Sequence, residues 1–346
     1  MKNAKKWLWA LAALTVTVIC AAGLLRNSGR SSQRVDSTSV AMGAVITQTL
    51  YSADESLARK TASEASAAVS ALEQAISWRI ESSEIARMNA GETVALSQPV
   101  QELLEQCSRV SETSGGAFDC TILSVSRLWE FEAEEFLPPT AETVAEALRW
   151  CGDRAQNQNT VPDPSIGAGI DLGAVGKGTG CDVAVDVYRE AGISAGIVSV
   201  GGSIGVFGEK PDGSAWTIGI RDPNGDSTET LGTISVTEGF VSTSGTYEKQ
   251  REFDGVQYHH LLDPKTGFPA KTDLVSATVF CSSGALSDAL ATAAVVLGEE
   301  SAPAFLNSWN VEYLLVTANG ELIASNRVRS ELVLTSSAYA FEEEQP

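Results

Sequence analysis

The densest chemical signal in the chain is Asp171-Leu-Gly-Ala-Val-Gly-Lys-Gly-Thr-Gly180. Glycines at a helix start let backbone N–H groups approach an anion closely, and Lys177 adds a positive charge with no packing purpose. The run departs from the G-x-x-x-x-G-K-[ST] phosphate loop, because Asp171 stands at the first glycine position and Gly178 follows the lysine. It therefore points to a nucleotide phosphate without a P-loop, the alternative being a plain glycine-rich turn. Asp288 and Thr292 form a second signal. Their i,i+4 spacing puts a carboxylate and a hydroxyl on one helix face, two hard oxygens suited to Mg²⁺. An aspartate near a helix start also serves as a cap or dipole partner, and the spacing alone leaves both roles open. The third is the pair His259 and His260, the chain's only two histidines, at a strand end before a Pro/Gly turn. Neighbouring strand residues face opposite ways, so at most one of them enters a given pocket as a general base. One core and one surface histidine is the plainer alternative.

Gly201-Gly202-Ser203-Ile204-Gly205 matches the G-x-S-x-G nucleophile elbow of hydrolases. That elbow must run into a helix, whereas Ile204 to Gly208 reads as strand and turn, which argues against a serine hydrolase.

These groups need elements to hold them. Helical spacing of apolar residues runs from Ala53 to Ser77 and again over 99–113, and a third helix opens at Thr140 and closes at Gly152. Residues 153–168 read as a surface loop. Ile197–Val200 and Trp216–Arg221 read as strands, and Asp254-Gly255 as the turn of a hairpin joining Tyr247–Phe253 to Val256–Leu262. An apolar helix spans Ser287 to Leu297 and ends at Gly298, and a last hairpin turns at Asn319-Gly320. This mixed order predicts an α+β class.

Between Lys6 and Arg26 lie 19 uncharged residues, preceded by three lysines and followed by an acidic body. Residues 1–25 are read as a signal or anchor that tethers the protein outside the cytoplasm, or releases it if cleaved. Residues 26–40 are expected to be a polar linker, 41–330 the domain and 331–346 a tail. After Arg34 the remaining 18 bases face 44 acids, a net charge of about −26. That balance opposes nucleic-acid binding, which needs clustered Lys and Arg. The five cysteines after the anchor are odd in number and lack C-x-x-C spacing, so they are expected to be buried thiols.

Taken in order, the segments resemble the ApbE family of FAD:protein FMN transferases. They are Ala41-Met42-Gly43, Ser77-Trp78-Arg79 through Asn89, Gly115 to Asp119, Asp171 to Gly178, Gly201-Gly202, Ile218 to Pro223, Ser242 to Glu248, His259 to Gly267 and Ser287 to Thr292. The resemblance implies an FAD cleft and Mg²⁺, with FMN transferred to a Ser or Thr of an acceptor protein, a redox subunit or secreted reductase, and AMP released. It implies that Met42, Trp78, Ala117, Phe118 and Asp119 line the flavin and adenine pockets. Asp171 and Lys177 would contact FAD. The metal would be held by Asp288, Thr292 and the Ala174 carbonyl, and His260 would take the acceptor proton. Ser199 and Ser203 stand where the family commonly has Asn and Asp, and Ala291 where some members carry a further carboxylate. Two alternatives stand beside this reading: an FAD pyrophosphatase, which would use the same site to give FMN and AMP, and, on the strength of those departures, a non-catalytic FAD-binding surface protein.

Overall fold

The computed structural model describes residues 32–152, 168–226 and 228–342. The expected anchor and nearly all of the expected 153–168 loop lie outside these residues.

The centre of the molecule is a nine-stranded sheet in the order β1-β2-β3-β4-β7-β10-β11-β12-β14. Its strands are β1 (Gln33–Ala41), β2 (Ala44–Ser52), β3 (Ala195–Val200), β4 (Ser203–Phe207), β7 (Gly239–Gly245), β10 (Leu274–Cys281), β11 (Glu312–Thr317), β12 (Glu321–Ala324) and β14 (Ala340–Phe341). Neighbours are antiparallel except the terminal pair of β12 with β14. The middle of the sheet is buried on both faces. In β11, Tyr313 and Leu315 join the helix-side core, whereas Leu314 and Val316 join the opposite core. That is why this strand reads as an unbroken apolar run with no period-2 signal.

Helices α1 (Glu55–Ile76), α2 (Gln98–Thr113), α3 (Gly176–Glu190) and α4 (Gly284–Ser308) supply the layer on one face. A second sheet of β5 (Trp216–Arg221), β6 (Thr230–Val236) and β13 (Val333–Leu334) covers the other. This arrangement is α+β, as the order of elements predicts. In α1, Ala58, Ala62, Ala65, Val69, Leu72 and Ile76 form one buried stripe, and the Asp54 side chain accepts from the N–H groups of Ser56 and Leu57. Thr140 caps the next predicted helix, which spans Ala141–Ala147 before a 3₁₀ turn. Gly298 breaks α4 with φ 76°, and a second helical stretch continues to Ser308.

Three sequence readings need correction. The last part of the 26–40 linker is strand β1, paired along its length with β2. Its inward positions include Ser37 and Ser39, and the Ser39 hydroxyl meets that of Ser66, so the period-2 pattern is hidden by small polar residues. The expected 331–346 tail contributes β13 and β14 and buries Tyr339, whose hydroxyl bonds Asp222. The hairpin at Asp254-Gly255 exists, but its strands β8 (Arg251–Phe253) and β9 (Val256–Tyr258) are only three residues each. Lys249, at φ 45°, interrupts the first before it can reach Tyr247.

Candidate active site

The N-terminal ends of α3 and α4 cross beside two adjoining cavities of about 520 and 810 Å³. Each is within the size range of cofactor and ligand sites. Trp78, Asp171 and Lys177 belong to both walls, so the cavities meet at the glycine-rich segment.

The crossing is held by Asp288. It is 6% exposed; its Oδ2 accepts from the Gly178 N–H at 2.5 Å and its Oδ1 from the Ser203 hydroxyl at 2.6 Å. Burial pushes the Asp288 carboxyl up, while nearby Lys177 and the hydroxyls of Ser203 and Ser242 favour its ionised form. The first turn of α3 closes on the Thr179 N–H, which bonds the Val175 carbonyl, so the Gly178 N–H has no partner within the helix. Here that N–H goes to Asp288. Among the described residues no backbone hydrogen bond reaches the Ala174 oxygen, and Ala174 lines the first cavity with Asp288 and Thr292. Thr292 lies one turn along α4, its hydroxyl 3.0 Å from that of Ser244.

Carboxylate, hydroxyl and free carbonyl form an all-oxygen set that fits Mg²⁺, which keeps several waters and needs few protein ligands. Among the described residues no cluster of three or more His, Cys, Asp or Glu offers a competing centre. Ala291 offers no carboxylate at its position, and Ser203 contributes a neutral donor. Ser203 also begins strand β4 and precedes no helix, which removes the elbow reading on structural grounds.

The histidines lie just past the end of β9, and their rings part company there. His260 lines the first cavity, with Nδ1 3.0 Å from the Glu248 carbonyl oxygen. A carbonyl only accepts, so Nδ1 carries the proton and the neutral ring keeps its lone pair on Nε2. Burial lowers His260 to about 4, so the ring is neutral at pH 7. His259 lines neither cavity and sends Nε2 to the Ala270 carbonyl at 3.1 Å.

Trp78, Ala117, Phe118, Asp119, Asp171 and Ala174 stand in the wall of the first cavity, as do Lys177, His260, Asp288 and Thr292. Met42 stands in the second. Sequence reasoning missed the cations around Trp78: the Arg79 and Arg127 guanidinium groups lie 4.1 and 5.2 Å from its ring centroid. In a chain with few bases their presence beside an aromatic was a usable signal. It also missed Arg221, which stacks 4.8 Å over Tyr247 in the second cavity. Cys107, Cys120 and Cys181 are buried free thiols and Cys281 is a half-buried one, while the buried Cys151 has its Sγ 3.2 Å from the Ser124 hydroxyl.

The model of the ApbE family matches residues 42–315, most of the chain. The chain belongs to the ApbE family. Its relatives include the FAD:protein FMN transferase of Treponema pallidum, 31% identical over 291 residues, which cover 78% of this chain and 80% of the relative. The FAD:protein FMN transferase of Klebsiella pneumoniae is 30% identical over 322 residues, covering 89% and 98%. The crystal structure of the ApbE protein from Thermotoga maritima superposes with a TM-score of 0.77 at 27% identity, covering 86% of this chain and 99% of that one. The flavin transferase ApbE from Vibrio cholerae gives 0.75 at 26% identity, covering 87% and 99%. The α+β arrangement around the cleft is thus the ApbE fold, and this member keeps it while carrying Ser203 and Ala291 beside Asp288.

Proposed function

We propose that the protein transfers the FMN half of FAD to a Ser or Thr hydroxyl of a second protein and releases AMP. The observation that carries this reading is the His260 ring, fixed by the Glu248 carbonyl so that its Nε2 lone pair is left for the cavity that also holds Lys177 and Asp288. Two joined cavities with a cation at their junction suit a two-headed dinucleotide whose pyrophosphate lies between its rings.

The acceptor oxygen forms a bond to the FMN-side phosphorus, and the bond from that phosphorus to the AMP oxygen breaks. The acceptor proton passes to His260 Nε2. A ring lowered by burial is a weak base on its own, but a bound polyphosphate anion raises its proton affinity towards the working pH. Lys177 and the first-turn N–H groups of α3 other than that of Gly178 hold the pyrophosphate and favour charge on the leaving oxygen. Trp78, with the Arg79 and Arg127 guanidinium groups near its ring, stands in the wall of both cavities as an aromatic surface for one of the rings of FAD. Asp288, Thr292 and the Ala174 carbonyl would hold Mg²⁺, which when bound supplies neutralisation of the phosphate oxygens. The lysines before the N-terminal apolar segment support an acceptor outside the cytoplasm, such as a membrane redox subunit or secreted reductase.

Mixing the full-length protein with FAD, Mg²⁺ and an FMN-binding acceptor domain should give a fluorescent acceptor heavier by one FMN. Both changes should vanish in Asp288→Ala and His260→Ala. Free FMN and AMP with an unmodified acceptor would replace the transferase with a pyrophosphatase, and intact FAD would leave a binding protein.

A further inference from the structure

Asp182 lies on α3 outside both cavity walls, half-buried and with a defined task. Its Oδ1 accepts from the Gly284 N–H at 2.7 Å and its Oδ2 from the Ala285 N–H at 2.8 Å, with the Ser283 hydroxyl at 3.4 Å. These N–H groups open α4, so an acid of α3 caps α4. Asp288 of α4 returns the contact by accepting from Gly178 near the start of α3. Gly178 and Asp182 are one helical turn apart, and so are Gly284 and Asp288. The four residues therefore close a ring of two helical turns and two carboxylate caps around the crossing. Sliding either helix along the other would break both caps together.

Lys177 sits beside Gly178 in this ring, and Asp288, the corner opposite Asp182, accepts directly from the Gly178 N–H. We propose that Asp182 is a positioning residue for the transfer reaction, holding the Asp288 carboxylate in place against Lys177 and the Ala174 carbonyl without itself touching substrate. This inference rests on the proposed transferase reading. An ordinary helix cap would affect stability alone, because its loss frays one terminus. The closed ring predicts more: loosening Asp182 displaces Asp288, so metal binding and the rate should suffer while the FAD cleft persists.

The test compares full-length wild type, Asp182→Asn and Asp182→Ala. Flavin fluorescence measures FAD binding without metal and then the Mg²⁺ concentration that gives half of the metal-induced change. Single-turnover FMN transfer to the acceptor domain gives the rate, and thermal melting gives the folded fraction. Asp182→Asn is nearly isosteric and keeps one acceptor oxygen, so it carries the test if Asp182→Ala does not fold. The expected result is metal-free FAD affinity within about twofold of wild type, with the Mg²⁺ midpoint raised and the rate lowered about 10- to 100-fold, more in Ala than in Asn. A folded Asp182→Asn with wild-type midpoint and rate would overturn the proposal. So would a parallel fall of folded fraction, FAD affinity and rate, which marks a purely structural cap. Wild type that transfers no FMN would sink the transferase reading instead, and the Mg²⁺ midpoint would still decide the role of Asp182.

Discussion

Gly178 and Gly284 meet backbone to backbone, and a β-carbon on either would run into the other's carbonyl group. The two helices that carry Lys177 and Asp288 can approach this closely only because both residues lack a side chain. Replacing either with Ala must push the helices apart. Gly178→Ala and Gly284→Ala should each cost about 1–3 kcal/mol in urea unfolding and lower FMN transfer by more than the loss of folded protein explains. Variants with wild-type stability and rate would show that the crossing is looser than its geometry implies.

His260 governs the acid side of the pH profile. With burial lowering it to about 4, the ring remains a base well below the usual histidine range. Transfer by the free enzyme, read as kcat/KM, should hold down to about pH 5 and fall below it, and His260→Ala should lose about 10²- to 10⁴-fold. The depressed value also gives a stability term present above about 6.5 and lost as the pH falls towards 4. A profile whose acid limb sits near 6.5 would mean that the ring is more hydrated in solution.

Ser203 stabilises the buried Asp288 carboxylate with a neutral donor. Ser203→Ala leaves Oδ1 without that bond and should destabilise the protein by about 1–3 kcal/mol. Ser203→Asp should behave oppositely towards metal and fold. Two carboxylates in contact repel without a cation, so the metal-free protein should melt earlier and bind Mg²⁺ more tightly. Calorimetric titration of Mg²⁺ with the two variants reads both effects, and tighter binding by Ser203→Ala would contradict them.

Asp182 gives an opposite pH signature. Burial raises it to about 6, against the pull of the Gly284 and Ala285 N–H groups and with a like-charge push from Asp186. A carboxyl raised above its unfolded value costs stability progressively as the pH climbs from about 4 through 6. Asp182→Asn cannot ionise, so it should lose this part of the slope, at most about 3 kcal/mol between the two ends. Urea melts at pH 4 and pH 7 measure it, and equal wild-type and variant slopes would refute the assignment.

Much of the site was legible in the chain itself. Glycine, lysine, aspartate and histidine have few uses in the patterns of Asp171–Gly180, Ser287–Thr292 and His259–His260, and local periodicity placed each near a helix start or strand end. Element types followed wherever one face was polar, as in α1. What local pattern could not supply was pairing. β1 was hidden because Ser37 and Ser39 stand at its inward positions, and β13 and β14 because two-residue strands have no period to read.

The choice between His259 and His260 was framed by strand alternation but decided by the fold, since only tertiary contacts put the Glu248 carbonyl on one ring and Ala270 on the other. Asp182 shows the same division. Its sequence position within α3 marks it as an ordinary helical acid, and its partners lie about a hundred residues away on α4. The sequence by itself determined which groups could bind a nucleotide and a hard metal, because those properties belong to the side chains. Only the tertiary structure decided which of them converge, because that depends on how two helix N-termini, distant along the chain, cross at a pair of glycines.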